Sequence, residues 1–92
     1  MNEEQMEMLI IQIINGAVAT IPSYLEDINQ NRETLKVENS KEFVYGMVMG
    51  IALGMSGAVL STQEEIPTAD EQMKIRDIIY KYIPEIRVQI FN

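Results

Sequence analysis

From Phe43 to Gln63 the chain reads FVYGMVMGIALGMSGAVLSTQ, 21 residues without one charged side chain. As an α-helix this stretch is about 31 Å long, close to the hydrocarbon thickness of a bilayer. It also lacks a polar face. A helix that is apolar on every side must be surrounded by protein or by lipid. How much cover the other 71 residues of the 92-residue chain can supply therefore decides what this sequence can fold into.

The same stretch holds four glycines, Gly46, Gly50, Gly54 and Gly57. Each glycine inside a helix costs about 1 kcal/mol relative to alanine, roughly 4 kcal/mol in all. Their placement suggests the compensation. At about 100° per residue, Gly46, Gly50, Gly54, Gly57 and Ser61 fall on one stripe about 80° wide. A stripe of small residues lets a second helix approach backbone to backbone. These five are the candidate helix-contact and oligomer-interface residues. Val44, Met47, Ile51 and Ala58 flank the stripe on one side, and Met49, Leu53 and Leu60 on the other. Val48, Ala52, Met55 and Val59 lie opposite it.

The flanking segments read as helices too, since their apolar residues recur at three and four rather than two. Met6, Ile10, Ile13, Ile14, Ala17 and Ile21 define one face of a helix from about Glu3 to Thr20. Glu3, Glu4 and Glu7 lie in its opening turns, where carboxylates favour the positive end of the helix dipole. Pro22 ends or kinks that helix, or opens a second one whose apolar side is Tyr24, Leu25, Ile28 and Leu35. Asn39 with Glu42 resembles a capping box before the glycine-rich helix, expected from about Ser40 to Thr62. A turn is expected over Gln63 to Pro67. Thr68 with Glu71 is a regular capping box for the last helix. There Ile75, Ile78, Ile79, Tyr82, Ile83, Ile86 and Ile90 share one arc, and the apolar phase runs through Pro84, so a kinked continuation is expected. Asp70–Lys74 and Asp77–Lys81 have the spacing of favourable pairs along one helix.

These elements predict a single all-α domain over residues 1–92: a small helical bundle of three long helices, the first kinked or split at Pro22, completed by oligomerisation. The segments other than 43–63 can cover only part of the apolar helix. The remaining face asks for another chain or for a membrane. The flanks carry no tryptophan, and Lys41 is the one close basic residue, so interfacial anchors are poor. Self-association, most simply a two-fold dimer, is the first expectation, with a contact to another protein beside it. A single membrane span over residues 43–63 is the alternative. The acidic start Met-Asn-Glu-Glu-Gln lacks the basic residues of a targeting segment, which makes the cytoplasm the expected compartment.

Several kinds of chemistry are excluded by composition. With no histidine and no cysteine, the commonest general base, the thiolate nucleophile and the usual transition-metal ligands are all missing. A net charge of −7 argues against nucleic-acid binding. No phosphate-binding loop and no Ca²⁺ loop is present. Ser56 and Ser61 have no identifiable base, and Ser56 reads as a small packing residue. Met47, Met49 and Met55 read as core filling.

One carboxylate route survives. Glu4 and Glu7, three apart, could share a Mg²⁺ with acids on another helix. This Glu-x-x-Glu is similar to half of the motif of the small all-helical nucleotide pyrophosphohydrolases. Their second half, Glu-x-x-Asp, is absent, because residues 74–77 read Lys-Ile-Arg-Asp with lysine in the glutamate's place. The expectation is a non-enzymatic structural or interaction module with no cofactor, no metal and no catalytic residue. The charge is uneven: residues 1–31 are acidic throughout and residues 73–92 slightly basic. Solvated faces are the expectation for both, with attraction between them as the alternative.

Overall fold

The computed structural model describes residues 2–63 and 68–92, and the expected turn from Gln63 to Pro67 falls almost wholly outside them. The described residues form six α-helices and no strand: α1 (Glu3–Ala19), α2 (Ile21–Gln30), α3 (Arg32–Leu35), α4 (Ser40–Gln63), α5 (Ala69–Lys81) and α6 (Ile83–Phe91). The all-α expectation holds.

Local chemistry explains most of the boundaries. α1 opens on a capping box that sequence reasoning missed: Asn2 Oδ1 accepts from the Gln5 amide at 2.8 Å while Gln5 Oε1 accepts from the Asn2 amide. Its signal, Asn-x-x-Gln, was present in the sequence. α1 ends at Ala19, and α2 restarts two residues on with Pro22 in its first turn, where no amide donor is needed. The two axes bend by 41°. Asn31 then caps α2 through its own side chain, with Nδ2 donating to the Asp27 carbonyl at 2.8 Å. A short α3, not anticipated, follows and stops at Lys36, whose φ of 58° is left-handed. Arg32 fixes this connection by donating to the Glu38 carbonyl at 2.8 Å, and Ser40 Oγ donates to Asn29 Oδ1 at 2.7 Å. α4 begins as expected, its Glu42 amide donating to Asn39 Oδ1 at 3.1 Å.

Both arms of the Thr68–Glu71 capping box form at the start of α5. Pro84 separates α5 from α6 without changing the buried face, since Ile75, Ile79, Ile86 and Ile90 are all buried. The restart works because proline in a first helical turn sacrifices no hydrogen bond, so the apolar phase continues across it.

α4 is the hub and packs against α1, α2, α5 and α6, while α1 also packs against α5. The core is built from Met6, Ile10, Ile14 and Ala17 of α1, Ile21 and Ile28 of α2, the inner line of α4, and the four isoleucines of α5 and α6. The inner line is Val44, Val48, Ala52, Ser56 and Leu60. Among the expected core residues of the flanking helices, Leu35 is exposed, and Ile13 and Ile83 are half-buried outside the core. Leu35 sits on α3, a turn too short to turn a side chain back under the bundle.

Lys74 and Lys81 do not pair with Asp70 and Asp77 along α5. Lys74 Nζ lies 3.2 Å from Glu3 and Lys81 pairs with Glu7, so both bridge α5 to α1. Asp77 is taken by Arg76 at 2.9 Å. The acidic start of the chain and its basic end are thus joined in space, with Glu3, Lys74 and Lys81 largely hydrated and Glu7 partly buried.

Candidate interface

The stripe of small residues is on the outside. Gly46, Gly50, Gly54 and Ser61 are exposed and Gly57 is half-buried. A methyl group built on any of the four glycines meets nothing within 4 Å. Among the described residues no helix uses the stripe for close approach, and the intrinsic cost of the glycines has no offset there. The Ser61 hydroxyl turns inward on its own helix and donates to the Gly57 carbonyl at 2.7 Å.

The reason lies in the line that α4 chooses to bury. Residues spaced by four, from Val44 to Leu60, wind slowly round a 3.6-residue helix, so the buried line drifts as the neighbouring helices cross it. The stripe stays clear of it throughout. Met55, opposite the stripe by rotation, falls off the drifting line and is half exposed, which corrects its expected place in the core. Met47 and Met49 are partly buried against the core. Only 28% of the most apolar window of Ser40–Ser61 is buried.

Around the stripe the surface stays apolar. Phe43, Leu53 and Met55 of α4 are exposed, and so are Met73 and Tyr80 of α5. An open groove between α1 and α4 is lined by Leu9, Ile13, Gly16, Tyr24, Ile51 and Met55. A second, between α4 and α5, is lined by Leu53, Gly57, Ser61, Met73, Arg76 and Tyr80. The glycine stripe runs between the two at Gly46, Gly50 and Gly54 and enters the second groove at Gly57 and Ser61. Polar side chains share both grooves: Gln12 and Thr20 in the first, Gln72 and Arg76 in the second.

The accessible surface is 6046 Å², whereas a folded monomer of 10.5 kDa exposes about 5,400 Å². The radius of gyration is 14.4 Å, against about 12 Å for a closely packed chain of this length. An elongated body, 42 × 25 × 18 Å along its principal axes, goes with the larger surface.

The other candidates separate. Ser56 is fully buried in the inner line of α4 and its Oγ has no hydrogen-bond partner among the described residues. It packs, with its hydroxyl unanswered. Glu4 and Glu7 belong to no cluster of three or more acidic side chains able to hold a metal ion among the described residues, and Glu7 is engaged by Lys81. That hydrogen bond to Glu7 is the main cause of the raised pKa of Lys81, opposed by desolvation and aided by the charge of Glu7. Arg87, missed in the sequence, joins α6 to α4: it pairs with Glu42 at 3.0 Å and stacks over Tyr45 and Phe91. Comparison with protein-family models, with curated proteins and with solved structures finds no match for this chain.

Proposed function

We propose that this protein is a non-enzymatic helical module that self-associates through the outward face of α4, most simply as a two-fold dimer in the cytoplasm. In this reading α1–α2, α4 and α5–α6 act as three long helices, the first bent after Thr20, and a second copy completes the bundle. The observation that carries it is the outward stripe Gly46, Gly50, Gly54, Gly57 and Ser61, apolar and uncovered. Close packing of another helix on that stripe supplies the contact that offsets four helical glycines. An isologous contact uses the same patch on both copies, so one exposed face suffices.

A second reading is favoured by the length of α4. Ser40–Ser61 is long and apolar enough to cross a membrane, and 28% of its most apolar window is buried inside the bundle. In that reading the same stripe mediates association within the bilayer.

Light scattering after size exclusion, in buffer without detergent, separates these. A monodisperse dimer that Gly50→Leu converts to monomer supports self-association through α4. A wild-type monomer overturns it, and failure to remain in solution without detergent replaces it with the membrane reading.

A further inference from the structure

Methionine belongs among the residues that folded proteins most often bury, yet here it divides into two sets. Six of the seven methionines lie among the described residues. Met6 is core, 6% exposed, and Met47 and Met49 are partly buried against the core. Met8, Met55 and Met73 are 60%, 50% and 51% exposed. Two of these open thioethers have a defined setting. Met55 lines the groove between α1 and α4 with Leu9, Ile13 and Ile51, and Met73 lines the groove between α4 and α5 with Leu53 and Tyr80. Met8 belongs to neither groove. The chain has no cysteine, so no thiol competes for an oxidant and the thioether is its softest nucleophile.

We propose that Met55 and Met73 are oxidation sites through which a hydroperoxide makes the apolar walls of both grooves polar while the fold persists. The thioether sulfur attacks one peroxide oxygen, the O–O bond breaks, and that oxygen stays on sulfur as a sulfoxide. The other oxygen leaves as water when the oxidant is hydrogen peroxide. Sulfur loses two electrons and the peroxide gains them. The product is a polar side chain with a strong acceptor oxygen. At positions 55 and 73 half of the side chain already faces water, so the new oxygen is hydrated without opening the core. At Met6 the same oxygen would enter the core, and burial shields that sulfur from the oxidant. Reduction by a thiol-dependent sulfoxide reductase removes the oxygen as water, so the change is reversible. Both grooves are formed within one chain, with or without a second copy.

The test treats the full chain with dilute hydrogen peroxide. Fragment-ion mass spectrometry places each added oxygen, circular dichroism follows the helices, and Nile red, a neutral dye, reports apolar surface. Met55 and Met73 are expected to oxidise at least about tenfold faster than Met6, since susceptibility follows exposure. Helicity should hold while at least about half of the Nile red fluorescence is lost, as the two apolar walls turn polar. The double variant Met55→Leu, Met73→Leu should keep its fluorescence under peroxide, and Met8→Leu should lose it as wild type does. Equal rates at Met6 and Met55, or loss of helix on oxidation, would overturn the proposal. So would fluorescence that is absent at the start, that survives oxidation of wild type, or that Met8→Leu alone protects. Should the double variant fail to fold, a methionine sulfoxide reductase acting on oxidised wild type decides: recovered fluorescence supports the two sites, and no recovery overturns them.

Discussion

Arg87 of α6 donates to Glu42 in the first turn of α4 at 3.0 Å, across 45 residues of sequence. The same guanidinium lies 4.7 Å from the centre of the Tyr45 ring and 4.4 Å from that of Phe91. One side chain thus ties the end of the chain to the start of its central helix by charge and by stacking together.

Stacking and pairing at Arg87 can be told apart. Both partners are substantially hydrated, so the ion pair is screened and its share is small. Arg87→Lys keeps the charge and loses the planar stack. It is expected to lower the urea midpoint nearly as far as Arg87→Ala does, and 1 M salt is expected to change that ranking little. Full recovery by lysine would assign the effect to charge alone.

The bridge from Lys81 to Glu7 predicts a pH dependence at the alkaline end. The hydrogen bond to Glu7 raises the Lys81 pKa above its ordinary 10.5. A raised lysine pKa means that folding favours the protonated form. The contribution is complete below the unfolded value of about 10.4 and disappears as pH climbs through the higher folded value. Thermal melts of wild type and Glu7→Gln should differ at pH 9, with wild type the more stable, and converge as pH rises through the folded Lys81 value. A constant gap across that range would show that Glu7 acts through something other than Lys81.

Ser56 offers the opposite sign. Its buried hydroxyl has been removed from water without a partner among the described residues, a penalty of about 1–3 kcal/mol. Ser56→Ala is expected to stabilise the fold by about 1 kcal/mol, read as a higher urea midpoint at unchanged slope. A lower midpoint would mean that the hydroxyl is answered in solution.

Glycines inside and outside the stripe should respond differently. Gly16 of α1 has room for a Cβ, so Gly16→Ala should gain about 0.5–1 kcal/mol of helix stability with no change in mass. Gly50 has the same room within one chain, so Gly50→Ala should gain stability as a monomer while weakening association. Concentration-dependent melts of the two variants are the comparison. Identical behaviour would place Gly50 outside any interface.

What was legible in the sequence was local. Thr68 with Glu71, Asn39 with Glu42, Pro22 and Pro84 fix where helices begin because each answers or removes a backbone donor within a few residues. The isoleucine arc from Ile75 to Ile90 was readable for the same reason: a helix with one apolar side has one face to bury, and Ile75, Ile79, Ile86 and Ile90 bury it. α4 has no such side. Its apolar residues point everywhere, so periodicity located the stripe without telling which way it faces, and only the crossing of α1, α2, α5 and α6 selected Val44, Val48, Ala52, Ser56 and Leu60 as the inner line. The partners of Lys74 and Lys81 were likewise decided in three dimensions, because Glu3 and Glu7 come within reach only when α1 and α5 pack together. Short-range hydrogen bonds and one-sided helices are written in the order of residues; the choice among equivalent faces, and among competing carboxylates, belongs to whichever helices arrive beside them.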